Sequence, residues 1–365
     1  MKLLYITNGI NGAGGLERVF SVKASYLAQH YNYEVHILTL NEREKKSFYE
    51  FSPKVVLHSI EVGGNPLKYF INYLHGIKQI VKSLQPDVIS VCDDGLKGFF
   101  LPLLLQKPCP MIYERHVSKL ISVSESNNFG VLRVLTELQF KLMDVLAKTF
   151  DSFVVLTNGN KEEWKLTNIK VIANPTSFYP EESSTLLNKK VIAVGKQGYQ
   201  KGYDRLLEAW YIVAQKFPEW KLEIYGKLDR KEKLQELAVN LRISHSVFLY
   251  PPEKDIQSQY LSSSIYVMSS RYEGFGMVLI EAMACGIPCV SFDCPHGPSD
   301  IISDNVDGLL VKNGDSHGLA AALIKLINDE SMRKIMGANA KENVQRYLPE
   351  VVIKQWDDLF RSLQK

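Results

Sequence analysis

The sequence predicts two doubly wound α/β domains in tandem. Three observations carry this. The 365 residues exceed what one hydrophobic core usually organises, so two domains are the natural division. Short aliphatic and β-branched runs alternate throughout with longer segments of helical spacing, which implies parallel sheets covered on both faces. The alternation is interrupted once, after Asn174-Pro175, where 176–188 loosens around Pro180 and a Glu-Glu-Ser-Ser-Thr run, the best linker candidate.

In the first series the expected strands are 2–7, 34–40, 55–60, 88–91, 111–113 and 152–156. Between them Leu67, Phe70, Ile71, Leu74, Ile77, Val81 and Leu84 follow an i, i+3/i+4 rhythm and predict a helix. The second series places strands at 190–194, 221–225, 247–250, 265–268, 288–292 and 309–311. Helices are expected at 204–216 and 230–241, and helical patterns close the chain at 316–328, 330–346 and 349–363. There is no short-period repeat and no low-complexity tract.

Composition narrows the class. Apolar residues at 45% and charged residues at 23% fit a soluble globular protein and exclude wholesale disorder. The formal charge of +3 is too small to imply a nucleic-acid partner, although residues 1–170 hold 20 Lys and Arg against 16 Asp and Glu. The apolar run 3–6 breaks into Asn8-Gly9-Ile10-Asn11-Gly12 and reads as a first buried strand, not a signal peptide. No stretch approaches the roughly 18 apolar residues of a membrane span. Five cysteines, an odd number in a long chain, indicate a reducing compartment and hence a cytoplasmic protein. Cys285, Cys289, Cys294 and His296 lie close together, but their spacings miss the usual zinc pairs, so no metal is expected.

In open parallel sheets, ligands bind beyond the carboxyl ends of the strands, so unusual residues just after strands are the candidates. After the first strand, Gly12, Gly14 and Gly15 precede a helix opening at Leu16-Glu17-Arg18, where free N–H groups could face an anion. The dinucleotide fingerprint fails there, because Glu17 takes the third glycine position and no acid ends the second strand. Asp93 and Asp94 follow the fourth strand but are adjacent, and the chain contains no D-x-D to bridge a metal to a diphosphate. His116 follows the fifth. Lys196 and Lys201, five apart in a glycine-rich loop, form a cationic pocket suited to phosphate. Finally, Glu273 stands before a helix opening near Gly276-Met277, and Glu281 faces inward about a turn along it. A carboxylate accepts well from a ribose diol, and the intervening helix N-terminus can hold a diphosphate.

Glu273-Gly274-Phe275-Gly276 and Glu281-Ala282 resemble the E-x7-E motif of retaining GT-B glycosyltransferases, specifically glycosyltransferase family 4, also called group 1. The resemblance spans essentially the whole chain. Gly14-Gly15-Leu16-Glu17-Arg18 is similar to the family's amino-terminal glycine loop, and Val194-Gly195-Lys196 through Lys201-Gly202 to its V-G-R-x-x-x-x-K-G segment. Ile172-Ala173-Asn174-Pro175 is similar to its interdomain I-P-N-G. Lys196 departs from the commoner Arg, keeping charge without bidentate geometry. Pro175 replaces a glycine and stiffens the linker.

The resemblance implies a GT-B fold, two Rossmann-like domains facing across a cleft. Residues 1–175 would form the acceptor domain, with helix 349–365 packing back on it, and 185–348 the nucleotide-sugar domain. It implies that Lys196 and Lys201 neutralise the donor diphosphate and that Glu281 holds the ribose. Glu273 and His116 would meet the donor sugar, while Gly14, Gly15, Gly274, Phe275, Gly276 and Met277 line the donor site. The segment from Asp293 through His296 to Ile302 resembles bacterial surface-glycan enzymes that use UDP-sugars. The activity implied is metal-independent, retaining transfer of a hexose or N-acetylhexosamine to a lipid-linked saccharide, with no cofactor. The leaving phosphate would receive the acceptor proton, so no separate base is demanded. The alternatives are a UDP-N-acetylhexosamine epimerase of the same fold and a catalytically silent nucleotide-sugar-binding protein. Leu67, Phe70, Ile71 and Leu74 with Lys68, Lys78 and Lys82, and the apolar run 96–105 with Lys97 and Lys107 at its margins, suit an anionic membrane surface. Peripheral association with the inner face of the cell membrane is the expectation.

Overall fold

The computed structural model describes residues 1–43, 45–93, 95–119 and 130–364, with the side chains of 130–133 set aside. Asp94 therefore lies outside the described residues. The chain divides into two compact units, Met1–Pro175 with Pro349–Lys365, and Thr176–Leu348.

Unit 1 is built on seven parallel strands: β1 (Lys2–Thr7), β2 (Glu34–Leu40), β3 (Val56–Ile60), β4 (Val88–Cys92), β5 (Met111–Glu114), β6 (Ser152–Val155) and β7 (Ile169–Val171). Their spatial order is β3-β2-β1-β4-β5-β6-β7. The central strands β1, β4, β5 and β6 are buried on both faces, which is why they read as largely apolar runs. Leu3 and Tyr5 of β1 point into one core with Phe20, Leu27 and the helix Pro349–Ser362, through Val352, Trp356 and Phe360. Leu4 and Ile6 point into the other, with Tyr73, Phe99, Tyr113 and Phe153. The three-residue edge strand β7, paired to β6, was not expected; it is too short and too exposed to leave an alternating pattern.

Unit 2 has six parallel strands: β8 (Lys190–Val194), β9 (Lys221–Tyr225), β10 (Val247–Tyr250), β11 (Ile265–Met268), β12 (Cys289–Asp293) and β13 (Gly308–Lys312), in the order β10-β9-β8-β11-β12-β13. The helix expected over 230–241 is divided. A single turn, Arg230–Glu232, is capped by the Asp229 side chain, Lys233 takes a left-handed conformation, and the helix proper is Leu234–Asn240. Likewise the pattern over 330–346 resolves into a helix at Glu330–Asn343 and a tighter turn at Val344–Tyr347.

Residues 176–188, though irregular, are pinned to unit 2. The Thr176 N–H donates to the Tyr347 carbonyl at 2.7 Å and the Ser184 N–H to the Cys285 carbonyl at 2.8 Å. Lys341 Nζ donates to the carbonyls of Glu181 and Glu182. Among the described residues, no helix is long and apolar enough to cross a membrane.

In each sheet the strand order reverses direction once, between β1 and β4 and between β8 and β11. Loops leaving neighbouring strands there diverge to opposite faces and open a crevice, the usual ligand position in such sheets.

Candidate active site

In unit 2 the two loops at the reversal are residues 195–202 after β8 and 269–276 after β11, and they are stitched together. Arg271 donates to both carboxylate oxygens of Asp204 (2.9 and 2.5 Å) and to the Tyr199 carbonyl (2.7 Å), with its guanidinium 4.0 Å from the Tyr199 ring centroid. Burial alone would raise the Asp204 carboxyl, but the Arg271 hydrogen bonds and charge hold it below its ordinary value. Gly202 is required at the seam: its φ is +62°, and a Cβ there would stand 2.2 Å from the Ser269 carbonyl oxygen.

This seam brings Lys201 to Glu273. Lys201 Nζ lies 2.6 Å from Glu273 Oε1, which also accepts from Ser270 Oγ at 2.6 Å. Lys196 extends from the same loop into solvent. A third loop closes the arrangement: the Glu273 N–H donates to the Pro295 carbonyl, and Gly297, at φ +112°, passes so close to Phe275 that a Cβ would meet its carbonyl oxygen at 2.0 Å.

Gly276 then caps the helix Met277–Ala284, which is apolar around its axis and buried at every residue but Val278. Glu281 is its one acid, and only 2% exposed. A buried carboxylate needs donors. Ser177 Oγ (3.1 Å) and Tyr260 OH (3.3 Å) supply them.

In unit 1 the reversal joins the loop after β1 to that after β4, where Asn8 Nδ2 donates to Asp93 Oδ1 at 3.0 Å. The first part of the glycine loop is already engaged. Its N–H groups at Ile10 and Asn11 already donate to Glu42, at 2.8 and 3.3 Å. Glu17 folds back over Gly12 and Gly14, and burial, with Glu42 nearby, raises its carboxyl above the ordinary value. Two carboxylates at this loop suit hydroxyl groups better than phosphate.

After β5, His116 Nε2 lies 3.2 Å from Glu114 Oε2. The same oxygen receives the Lys23 ammonium in a short contact, and Ser90 Oγ donates to Oε1 at 2.5 Å. Burial by itself would raise the Glu114 carboxyl; Lys23 first, then His116, overcome this and bring it down to about 2. Lys23 in turn sits 4.1 Å from the Trp356 ring centroid and 4.8 Å from that of Tyr5. Sequence reasoning gave no role to Lys23, Glu114, Asp204 or Arg271. Lys23 carries a readable signal, since it occupies a core position of its helix among Val19, Phe20, Ala24 and Leu27.

Cys92, Glu114 and His116 present ligand atoms within 4.8 Å of one another. The Lys23 cation on Glu114 disfavours a second cation there. Among the described residues, no three of Cys285, Cys289, Cys294 and His296 come that close. The three cysteines are buried, and burial pushes each thiol up.

The family model described as Glycosyl transferases group 1 matches residues 177–343, and that described as Glycosyl transferase 4-like matches 15–149. The amylovoran biosynthesis glycosyltransferase AmsD of Erwinia amylovora is 31% identical over 98% of this chain and 99% of its own. The fold is shared with the sucrose-phosphate synthase of Thermosynechococcus elongatus (TM-score 0.85, 18% identity, 100% and 99% of the two chains). It is also shared with Anabaena HepE in complex with UDP-glucose (TM-score 0.78, 17% identity, both chains covered completely). Two Rossmann-like halves of this kind define the GT-B glycosyltransferase fold. The chain belongs to the group 1 glycosyltransferases.

Proposed function

We propose that this glycosyltransferase moves a hexose or N-acetylhexosamine from a UDP-sugar to a lipid-linked saccharide in surface-polysaccharide synthesis, retaining anomeric configuration and using no divalent metal. The observation that carries the reading is the stitched seam of unit 2, where Lys201 and Glu273 meet at the sheet reversal with Glu281 buried in the helix behind them. In this reading Lys196 and Lys201 balance the diphosphate, assisted by the backbone of Gly274, Phe275, Gly276 and Met277. Glu281 accepts from the ribose hydroxyls. Glu273 and His116 lie beside the transferred sugar, and Gly14 and Gly15 admit it closely. The acceptor hydroxyl attacks the anomeric carbon as the bond to the diphosphate breaks, and its proton passes to the departing phosphate oxygen on the same face. AmsD, by its name an enzyme of amylovoran synthesis, and HepE, seen with UDP-glucose, support the polysaccharide product and the donor class.

The test is turnover of a panel of UDP- and GDP-sugars with lipid-linked and free saccharide acceptors, with the anomer of the product determined. Transfer from a UDP-sugar with retention is expected. Inversion, exclusive use of GDP-sugars, or release of a free epimerised sugar overturns it.

Activity should persist after exhaustive EDTA treatment, because lysine ammonium groups and helix N–H groups carry the diphosphate charge; collapse restored by Mg2+ or Mn2+ contradicts this. Glu281→Ala should weaken UDP binding by roughly 10- to 150-fold, the loss of about 1.5–3 kcal/mol of hydrogen bonding to a charged group, read by calorimetry. Unchanged UDP affinity removes Glu281 from the ribose.

Peripheral membrane contact belongs to the same proposal. The helix Pro66–Leu84 faces its sheet with Tyr73, Ile77 and Val81, while Leu67 and Ile71, 70% and 56% exposed, stay outside beside Lys68. Lys97 and Lys107 are otherwise engaged, with Tyr69 OH and with Asp151. Binding to anionic liposomes at low salt and release at high salt is expected in a flotation assay. Failure to float at low salt, together with efficient glycosylation of a soluble sugar acceptor, overturns the membrane reading.

A further inference from the structure

With His116 placed beside the transferred sugar, its surroundings give it a more specific role, one that rests on that placement. Three atoms matter. His116 Nε2 lies 3.2 Å from Glu114 Oε2. Glu114 is buried, held ionised by Lys23, and accepts from Ser90 Oγ on its other oxygen. His116 Nδ1 is buried with no hydrogen-bond partner among the described residues.

An ionised carboxylate can only accept, so the hydrogen in the His116–Glu114 contact belongs to Nε2. Lys23 and Glu114 pair at 1% exposure each, and the His116 side chain beside them is 6% exposed. When the ring carries one hydrogen and that hydrogen sits on Nε2, Nδ1 is an acceptor. Buried polar atoms are nearly always paired, so an orphan acceptor at the carboxyl end of a strand in a ligand-binding fold is a place for a donor.

We propose that Glu114 and Lys23 are positioning residues that lock His116 in its Nε2–H tautomer, so that Nδ1 accepts a hydrogen bond from a hydroxyl of the transferred sugar. Trp356 belongs to the same device: its ring stands 4.1 Å from Lys23 Nζ and covers the ammonium from the helix Pro349–Ser362. The consequence for specificity is that the site favours a donor sugar with a hydroxyl at the position Nδ1 reaches. The deoxy sugar lacking it leaves the orphan unpaired.

The experiment reads the tautomer directly. Long-range 1H–15N spectra are recorded on 15N-histidine-labelled protein without donor, with His116→Gln assigning the resonance, and compared with the double variant Lys23→Met/Glu114→Gln. Removing both charges leaves no lone buried ion, so the variant should fold. A carboxamide can either accept from or donate to Nε2, which frees the ring. The expected result is a pure Nε2–H tautomer in the wild type and a mixture in the variant. Alongside, kcat should fall about three- to tenfold, the worth of one neutral hydrogen bond, while UDP affinity is unchanged. A purely structural ion pair would move thermal stability but neither tautomer nor kcat. An Nδ1–H or mixed tautomer in the wild type, or a variant with unaltered tautomer, overturns the proposal. Unaltered kcat beside the expected tautomers severs it from transfer. If the wild type transfers no sugar, the functional reading falls, and the spectra still decide the tautomer.

Discussion

Lys201→Ala is expected to lower kcat/KM about 10- to 150-fold. The lysine is mostly enclosed between two stitched loops, and its ammonium is held 2.6 Å from Glu273, so it cannot drift with solvent as a surface lysine does. A charge-assisted contact to a diphosphate is worth roughly 1.5–3 kcal/mol, and about 1.4 kcal/mol is a factor of ten. Lys196→Ala should fall at the lower end of that range, because its exposed side chain is screened and loses more entropy on ordering. Steady-state kinetics with a thermal melt separates the effects. Wild-type kcat/KM in Lys201→Ala, with the fold intact, reduces this lysine to a brace for Glu273.

Glu114→Ala should destabilise unit 1 by about 3–5 kcal/mol, because it strands the Lys23 ammonium in an apolar, aromatic surround. Against a typical total of roughly 5–15 kcal/mol, that is a large share. The acid dependence should change as well. The folded-state value for Glu114 is depressed to about 2 from an ordinary 4.5, so its contribution is fully present above 4.5 and is lost as pH falls toward 2. Urea titrations at neutral pH and in that acid window, with hydrogen exchange of β1 and β5 as the local readout, test both. The gap between wild type and Glu114→Ala should narrow on acidification; a constant gap shows that the charge is not the source. Lys23→Met/Glu114→Gln should recover most of the loss.

The parts of the site that were legible from sequence share one property: their residue types conflict with their surroundings. Lys196 and Lys201 interrupt a glycine loop, Glu273 precedes an apolar helix, and Glu281 is the single acid within it. Such conflicts are local, so one sequence displays them. Arg271 and Asp204 were illegible because each is ordinary alone and acquires meaning only when β8 and β11 become neighbours. Glu114 was half visible, two residues before His116 and therefore on the same side of the chain. Lys23 conflicts with its helix as sharply as Glu281 does, but its partners are Glu114, Tyr5 and Trp356, and only the fold gathers them. The two-sheet architecture was readable because strands buried on both faces are continuous apolar runs. Its lapses were local, at Lys233, where a left-handed residue cuts a helix, and at the three residues of β7.

Because the helix Pro349–Ser362 packs into unit 1, that unit is discontinuous along the chain, and this reverses the order in which the two halves can be finished during biosynthesis. A ribosome delivers Met1–Pro175, then all of Thr176–Leu348, before Val352, Trp356 and Phe360 appear. At about 5–20 residues per second the wait is on the order of 10–35 s. Through that interval the nascent unit 1 lacks the cover for Tyr5 and Phe20, and its Lys23 lacks the indole that shields it, while unit 2 already has every residue of its own core. The half translated second therefore has its full set of residues before the half translated first does.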